Sequence, residues 1–149
     1  MDRKWNVYLS GEIHTDWREQ IIHGSAERGL SIVFCSPVTD HESSDLCGVR
    51  ILGDEEKRFW EDRKGAGINA IRTRTLIHEA DVVVVRFGVE YKQWNAAFDA
   101  GYAAALTKPL ITLHDEVHDH ALKEVDAAAY ATARSPEQVV EILTYVLKG

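Results

Sequence analysis

A chain of 149 residues, 45% hydrophobic and 28% charged, is long enough to bury a core without metals or disulfide staples and has none of the bias of a disordered or fibrous protein. Its formal charge of -7 excludes a broad surface for nucleic-acid polymers, which needs clustered Lys and Arg, and leaves room for a small anionic ligand in a local basic pocket. The first residues lack the apolar stretch of a signal peptide and the longest apolar run, residues 82–85, is far too short to cross a bilayer, so a soluble, cytoplasmic protein with no membrane partner is expected.

Residues 7–9 read as a short buried strand, ended by the turn signal Ser10-Gly11. Asp16 is placed to cap the helix that follows, with Trp17, Ile21, Ile22 and Ala26 at helical spacing and Gly29 closing it. Residues 30–34 make a second strand, and strand, helix and strand form a βαβ unit with parallel pairing and a right-handed crossover. Residues 35–67 are the least regular stretch, holding Pro37, a Ser/Asp-rich patch at 40–45, and Gly48, Gly53, Gly65 and Gly67. Within it a short charged helix over 55–63 is expected around Phe59 and Trp60; an excursion of this length is either functional, as a lid or subunit contact, or disordered.

From Ile68 a helix with Ile71, Leu76, Ile77 and Ala80 on its apolar side feeds into residues 81–87, whose unbroken valines are the pattern of a central parallel strand covered on both faces. After a loop at 88–93, the alanine-rich segment 94–106, with Phe98 and Tyr102 at i,i+4, predicts a helix. Lys108-Pro109 ends it, and then come a strand at 110–113, a short helix at 119–125 and an edge strand at 129–132. Ser135, Pro136 and Gln138 form a capping-box start for the last helix, with Val139, Val140, Leu143 and Val146 as its buried stripe.

Strands alternating with helices in this way predict one α/β domain over residues 1–149: a doubly wound parallel sheet of five strands, flavodoxin-like or Rossmann-like, in the order 2-1-3-4-5 with helices on both faces. Ligands of such sheets bind beyond the carboxyl ends of the strands, at the switch point between the first and third. That rule selects residues 10–16 and 87–99.

These loops hold Ser10, Gly11, Glu12, His14 and Asp16 on one side and Glu90, Gln93, Asn95 and Asp99 on the other. Carboxylates gathered at strand ends suit glycosidic chemistry, where one acts as nucleophile or stabilises an oxocarbenium-like transition state and a second acid handles the leaving group. Asp99 falls within the first two turns of the helix after Trp94, where the helix dipole favours a carboxylate. The small residues Ala96, Ala97, Ala100 and Gly101 around it allow a ligand or another backbone to come close.

Phe87, Tyr91 and Trp94 flank the same region and are candidates to stack on a nucleobase, although Phe87 and Trp94 equally suit packing at the end of the sheet. Arg86 either pairs with an anionic group of a ligand or holds Glu90 or Asp99. The run from His114 to His120 offers imidazoles and carboxylates without H-E-x-x-H or comparable spacing. No metal and no cofactor is expected, and His114, following a strand, is a candidate acid at the pocket edge. Cys35 and Cys47, with no C-x-x-C spacing, read as free thiols.

The segments Glu79 to Val85, Gln93-Trp94-Asn95-Ala96-Ala97-Phe98-Asp99-Ala100-Gly101-Tyr102-Ala103 and Lys108-Pro109-Leu110-Ile111 resemble the nucleoside 2-deoxyribosyltransferase pattern. That pattern is an acidic strand start, then D-x-G-T-x-x-E-x-G-x-A, then a G-K-P strand. The opening Val7-Tyr8-Leu9-Ser10-Gly11-Glu12-Ile13 resembles the first strand and glycine loop of these transferases and of related deoxynucleotide N-glycosidases. The whole resembles most closely the uncharacterised YtoQ family of that superfamily, over most of the chain.

By that resemblance Asp99 stands where the family has its glutamate nucleophile, one methylene shorter, which sets its carboxylate back on the order of an ångström where near-attack distances are about 3–3.5 Å. Gln93 stands in the place of the family aspartate, and Asn95-Ala96 in that of the Gly-Thr pair. The resemblance implies a hydrolase (N-glycosidase) or transferase acting on a nucleoside or nucleotide, with Asp99 central and Glu12, Glu90 or His14 assisting. It also implies a homo-oligomer, with the charged 55–67 stretch as an interface. The competing expectation is a nucleotide-binding or metabolite-binding module that kept the fold without the reaction.

Overall fold

The computed structural model describes residues 3–149. Among them are five strands: β1 (Trp5–Gly11), β2 (Ile32–Cys35), β3 (Val82–Arg86), β4 (Leu110–Leu113) and β5 (Ala131–Ala133). The helices are α1 (Trp17–Glu27), α2 (His41–Leu52), α3 (Arg58–Glu79), α4 (Trp94–Ala105), α5 (Lys123–Ala128) and α6 (Pro136–Lys148), with one turn of 3-10 helix at Glu116–His118. All four strand pairings are parallel and the order is β2-β1-β3-β4-β5, the expected doubly wound sheet.

Strand side chains alternate between faces, so the valines of β3 are shared between two cores. Val82 and Val84 join Val7, Leu9, Trp17, Ile21, Val139, Val140 and Leu143 under α1 and α6. Val83 and Val85 join Tyr8, Ile77, Phe87, Ala96, Ala100 and Ala103 under α3 and α4. The alanines let α4 lie close on the sheet, which brings its side chains to the ends of β1 and β3.

The largest departure from the sequence reading is in residues 35–67, which are mostly helical. α2 was not expected, and the separate helices expected at 55–63 and from Ile68 are one helix, α3. The glycines read there as breakers do a different job: a Cβ on Gly48 would strike the backbone of Gly65 and Lys64, so the two helices cross backbone against backbone. Asn69 Nδ2 donates to Ser44 O at 3.0 Å across this hairpin. Gly48→Ala is therefore expected to destabilise by about 1–3 kcal/mol through overpacking, despite the better helix propensity of Ala. Gly67→Ala, where an added Cβ meets nothing within 4 Å, should instead gain about 0.5–1 kcal/mol. Urea unfolding of the two variants reads the difference in sign.

Smaller departures have local causes. Asp16 occupies the N-cap of α1 without capping through its side chain, which accepts from Gln20 Nε2 at 2.7 Å instead. Ile71 and Val146 are 72% and 45% exposed, because α3 stands partly clear of the sheet and α6 is in its last turn there. The short helix after β4 lies at Lys123–Ala128, later than expected, and β5 begins two residues later. Ser135 caps α6 as expected, accepting from Gln138 N at 3.3 Å, while Gln138 Oε1 accepts from Arg134 N at 2.7 Å. No helix of the described residues is long and apolar enough to cross a membrane.

Candidate functional site

The site grows from the carboxyl end of β1. Tyr8 and Ser10 point to the face covered by α4, and Ser10 donates its hydroxyl proton to Asp99 Oδ2 at 2.6 Å. Ser10 is 1% exposed, whereas Asp99 is half-buried. Burial pushes the Asp99 carboxyl above the ordinary carboxylate value, and the Ser10 hydrogen bond opposes part of that rise. The Tyr8 hydroxyl on the same face is buried without a hydrogen-bond partner; burial first, and the Asp99 charge second, push this phenol well up.

Strand β1 gives way to α1 through a loop packed on β3. Gly11, at φ 114, lies so close to Arg86 that a Cβ would run into the Arg86 backbone, and Glu12 N donates to Arg86 O at 3.1 Å. The Glu12 carboxylate turns back on its own loop. It accepts from the His14 amide, from Thr15 N at 2.6 Å and from Thr15 Oγ1 at 2.7 Å, with Arg86 Nε 3.6 Å away. Burial pushes this carboxyl up, but the Thr15 and His14 hydrogen bonds and the Arg86 charge outweigh it and hold it below the usual value. From α1, Trp17 Nε1 and Arg18 Nη1 both donate to Glu12 O at 2.7 Å, and Arg18 Nε reaches Leu9 O at 3.1 Å.

The loop between β3 and α4 is pinned by Gln93, whose Oε1 accepts from Gly88 N at 3.0 Å and whose Nε2 donates to Glu90 O at 2.8 Å. That clasp holds Tyr91 at φ 62, an uncommon conformation for a bulky residue and one that stores strain at functional loops. The Tyr91 ring lies 4.8 Å from the His14 ring, so the two loops meet over the site. Trp94 beside them is 75% exposed.

Together these loops and the α2–α3 hairpin line an open cleft of about 1060 Å³, slightly above the usual range for small-molecule sites. Its floor is Ser10, Gly11 and Asp99; its far wall includes His41, Asn69 and Arg74. The Arg74 guanidinium lies 5.8 Å from the Phe98 ring and 5.9 Å from that of Tyr102, within cation–π reach of both.

Of the residues selected from sequence, Ser10, Gly11, Glu12, His14, Tyr91, Gln93, Trp94, Asn95 and Asp99 line this one cleft. Asp16, at the N-cap of α1, and four others lie elsewhere. Glu90 is exposed on the loop outside the cleft, and Arg86 sits beside Glu12 rather than beside Glu90 or Asp99. Phe87 is 5% exposed in the core, its ring edge-on to His114. His114 is fully buried, with Nε2 2.8 Å from Asp126 Oδ2 and Nδ1 2.8 Å from Asp115 O.

Ligand atoms of His114, Asp119 and Asp126 lie within 4.8 Å of one another, but Asp119 is bound by Arg134 Nη1 at 2.6 Å and Asp126 by Thr112 Oγ1 at 2.8 Å. The group is knit together by its own hydrogen bonds. Two contributors escaped the sequence reading. The hairpin wall was hidden by its glycines, and Arg18 occupies a helix position where nothing in the pattern distinguishes a buried clamp from a solvated charge. Cys35 and Cys47 are both free.

Residues 8–147 match the family model described as nucleoside 2-deoxyribosyltransferase YtoQ. The uncharacterized protein YtoQ of Bacillus subtilis (strain 168) is 41% identical over 142 residues, covering 95% of this chain and 96% of the relative. Among solved structures, a conserved protein from Enterococcus faecalis V583 superposes with a TM-score of 0.66 at 12% identity, over 97% of this chain and 100% of its own. A 2-deoxyribosyltransferase from Bacillus psychrosaccharolyticus superposes with a TM-score of 0.50 at 19% identity, over 91% and 90% of the two chains. At these identities the superpositions speak for the fold.

Proposed function

Because this chain belongs to the nucleoside 2-deoxyribosyltransferase YtoQ family, we propose that it cleaves or transfers the N-glycosidic bond of a nucleoside or nucleotide at Asp99. The observation that carries this reading is the Asp99 carboxylate on the cleft floor, at the switch point between β1 and β3, with one oxygen hydrogen-bonded to Ser10. A half-buried carboxylate facing a cleft is a nucleophile for an anomeric carbon, or a stabiliser of the positive charge that develops there.

In the covalent form of the reaction, a bond forms between Asp99 and the anomeric carbon as the bond to the base nitrogen breaks. The electron pair leaves with the base, which takes a proton from solvent or from His14 on the same cleft. Water then opens the glycosyl ester in hydrolysis, or a second base does so in transfer. Tyr91 and Trp94, exposed at the rim, supply stacking surface for the base, commonly about 1–3 kcal/mol per base.

Purified protein incubated with a panel of nucleosides and their 5′-monophosphates, with free base followed by chromatography, tests the reading; no release from any of them would overturn it. A binding module without turnover is the second reading. It is favoured by the engagement of Glu12 within its own loop and by the position of Glu90 outside the cleft, which leave neither of these two carboxylates free to serve the leaving group. Thermal stabilisation by a ligand that is never consumed would select it.

The same family membership supports a homo-oligomer. Ile51, Leu52, Phe59 and Trp60, between 49% and 68% exposed at the tip of the α2–α3 hairpin, form the kind of apolar surface that isolated chains seldom leave in water.

A further inference from the structure

We propose that Ser10 is the positioning residue of this site: its hydroxyl fixes Asp99 Oδ2, so that Oδ1 is the oxygen presented to the sugar carbon. The proposal rests on the glycosidic reading above. It also changes the part expected for Ser10, which the sequence places among ligand contacts.

Three observations carry it. Ser10 is 1% exposed, so almost none of its surface is available to a molecule in the cleft. Its contact with Asp99, at 2.6 Å, falls in the range of a hydroxyl donating to an ionised carboxylate, and a serine has one proton to give. No hydrogen bond from the described residues engages the other carboxylate oxygen.

The anchor itself is rigid. Ser10 pairs with Val85 in the register of β1 and β3, the carbonyl before it is held by Arg18 Nε at 3.1 Å, and Gly11 after it is pressed on Arg86. Such a strand end can hold a partner to the few tenths of an ångström that a reacting group needs. The restraint matters because the terminal torsion of an aspartate is broad and roughly two-fold. Left alone, the plane of the carboxylate would range over that broad torsional well; bonded to Ser10 it is held near one angle. The same bond favours the ionised form against the burial that opposes it, so Ser10 keeps Asp99 both aimed and charged.

Ser10→Ala removes only the hydroxyl. The decisive measurement needs no substrate: the titration of the Asp99 carboxyl carbon by NMR in wild type and variant. Its midpoint is expected to move to higher pH when the Ser10 proton is gone. In kinetics on any substrate found, kcat should fall about 10- to 100-fold with KM nearly unchanged, since aim is lost and binding is not. The acid limb of the rate profile should move up in pH with the NMR midpoint. Ser10→Thr, which restores a hydroxyl, should recover most of both effects, and Ser10→Cys, a weak donor, serves in place of Ala if that variant does not fold.

An unmoved midpoint would overturn the proposal. So would a rise in KM at constant kcat, which marks a ligand contact instead. A midpoint that moves in a protein that releases no base would uphold Ser10 as the residue that orients Asp99 and overturn the glycosidic reading alone.

Discussion

Replacing Asp99 with Asn is expected to lower kcat for base release at least about a thousandfold, in a protein that is folded and slightly more stable than wild type at neutral pH. The amide is isosteric with the carboxylate, and its oxygen can still accept from Ser10, so the cleft floor keeps its shape. What disappears is the negative charge that attacks or stabilises the anomeric carbon.

The stability change has a definite sign. The folded-state carboxyl is raised by burial above its value in the unfolded chain, so the native state holds its proton to higher pH. Stability therefore falls as pH rises from the ordinary carboxylate value through the raised one, and above that the ionised group is a standing cost. Asn does not carry the cost, and its advantage should vanish as pH drops below the ordinary carboxylate range. Chromatography of released base, paired with urea unfolding at neutral and acid pH, separates lost chemistry from lost structure. Unchanged turnover in Asp99→Asn would remove Asp99 from the reaction.

The second large effect is on stability. Asp126→Ala should cost about 3 kcal/mol, because it strips a fully buried imidazole of its carboxylate partner. In a chain of this size that corresponds to a melting temperature lower by about 6–12 °C. His114 Nε2 approaches both Asp126 oxygens, at 2.9 and 2.8 Å, and Thr112 Oγ1 donates to the same carboxylate at 2.8 Å, so one substitution leaves His114 Nε2 without its partner and Thr112 with Thr132 Oγ1 alone, at 2.9 Å. Asp126→Asn, which keeps an oxygen for one of them, should cost less. Calorimetry or urea unfolding ranks the pair, and equal stability of Asp126→Ala and wild type would show that the contact contributes nothing. Activity per folded molecule should hardly change, because His114 is buried under the Phe87 ring instead of facing the cleft.

The two outcomes bear on what the sequence could disclose. Runs such as residues 82–85 and stretches such as 94–106 announce their elements because burial on both faces and alanine-rich helix formation leave strong local patterns, and the sheet order follows from the alternation. The switch-point rule then selects both loops of the cleft. It cannot say which way a side chain turns. Glu12 in its loop and Asp99 on its helix are both candidate carboxylates by that rule, yet Glu12 is engaged by the amides of residues two and three positions on, while Asp99 faces the cleft. Phe87 and Trp94 look alike as aromatics, yet one belongs to the core and the other to the rim. The α2–α3 hairpin was illegible because Gly48 and Gly65 serve a helix crossing, and a glycine's contact partner, unlike its flexibility, is not written in its neighbours.

That hairpin gives the enzyme proposed here a modular anatomy. Asp99, Ser10 and the rim residues Tyr91 and Trp94 come from strand ends and α4, whereas the opposite wall is the α2–α3 connection between β2 and β3, whose two helices pack chiefly on each other. Lengthening or trading the outer part of that connection would resize the chamber while leaving the reacting groups in place. Selection for a bulkier or smaller substrate can thus act on 41–74 without touching the chemistry, and the same boundary is where a protein engineer would cut.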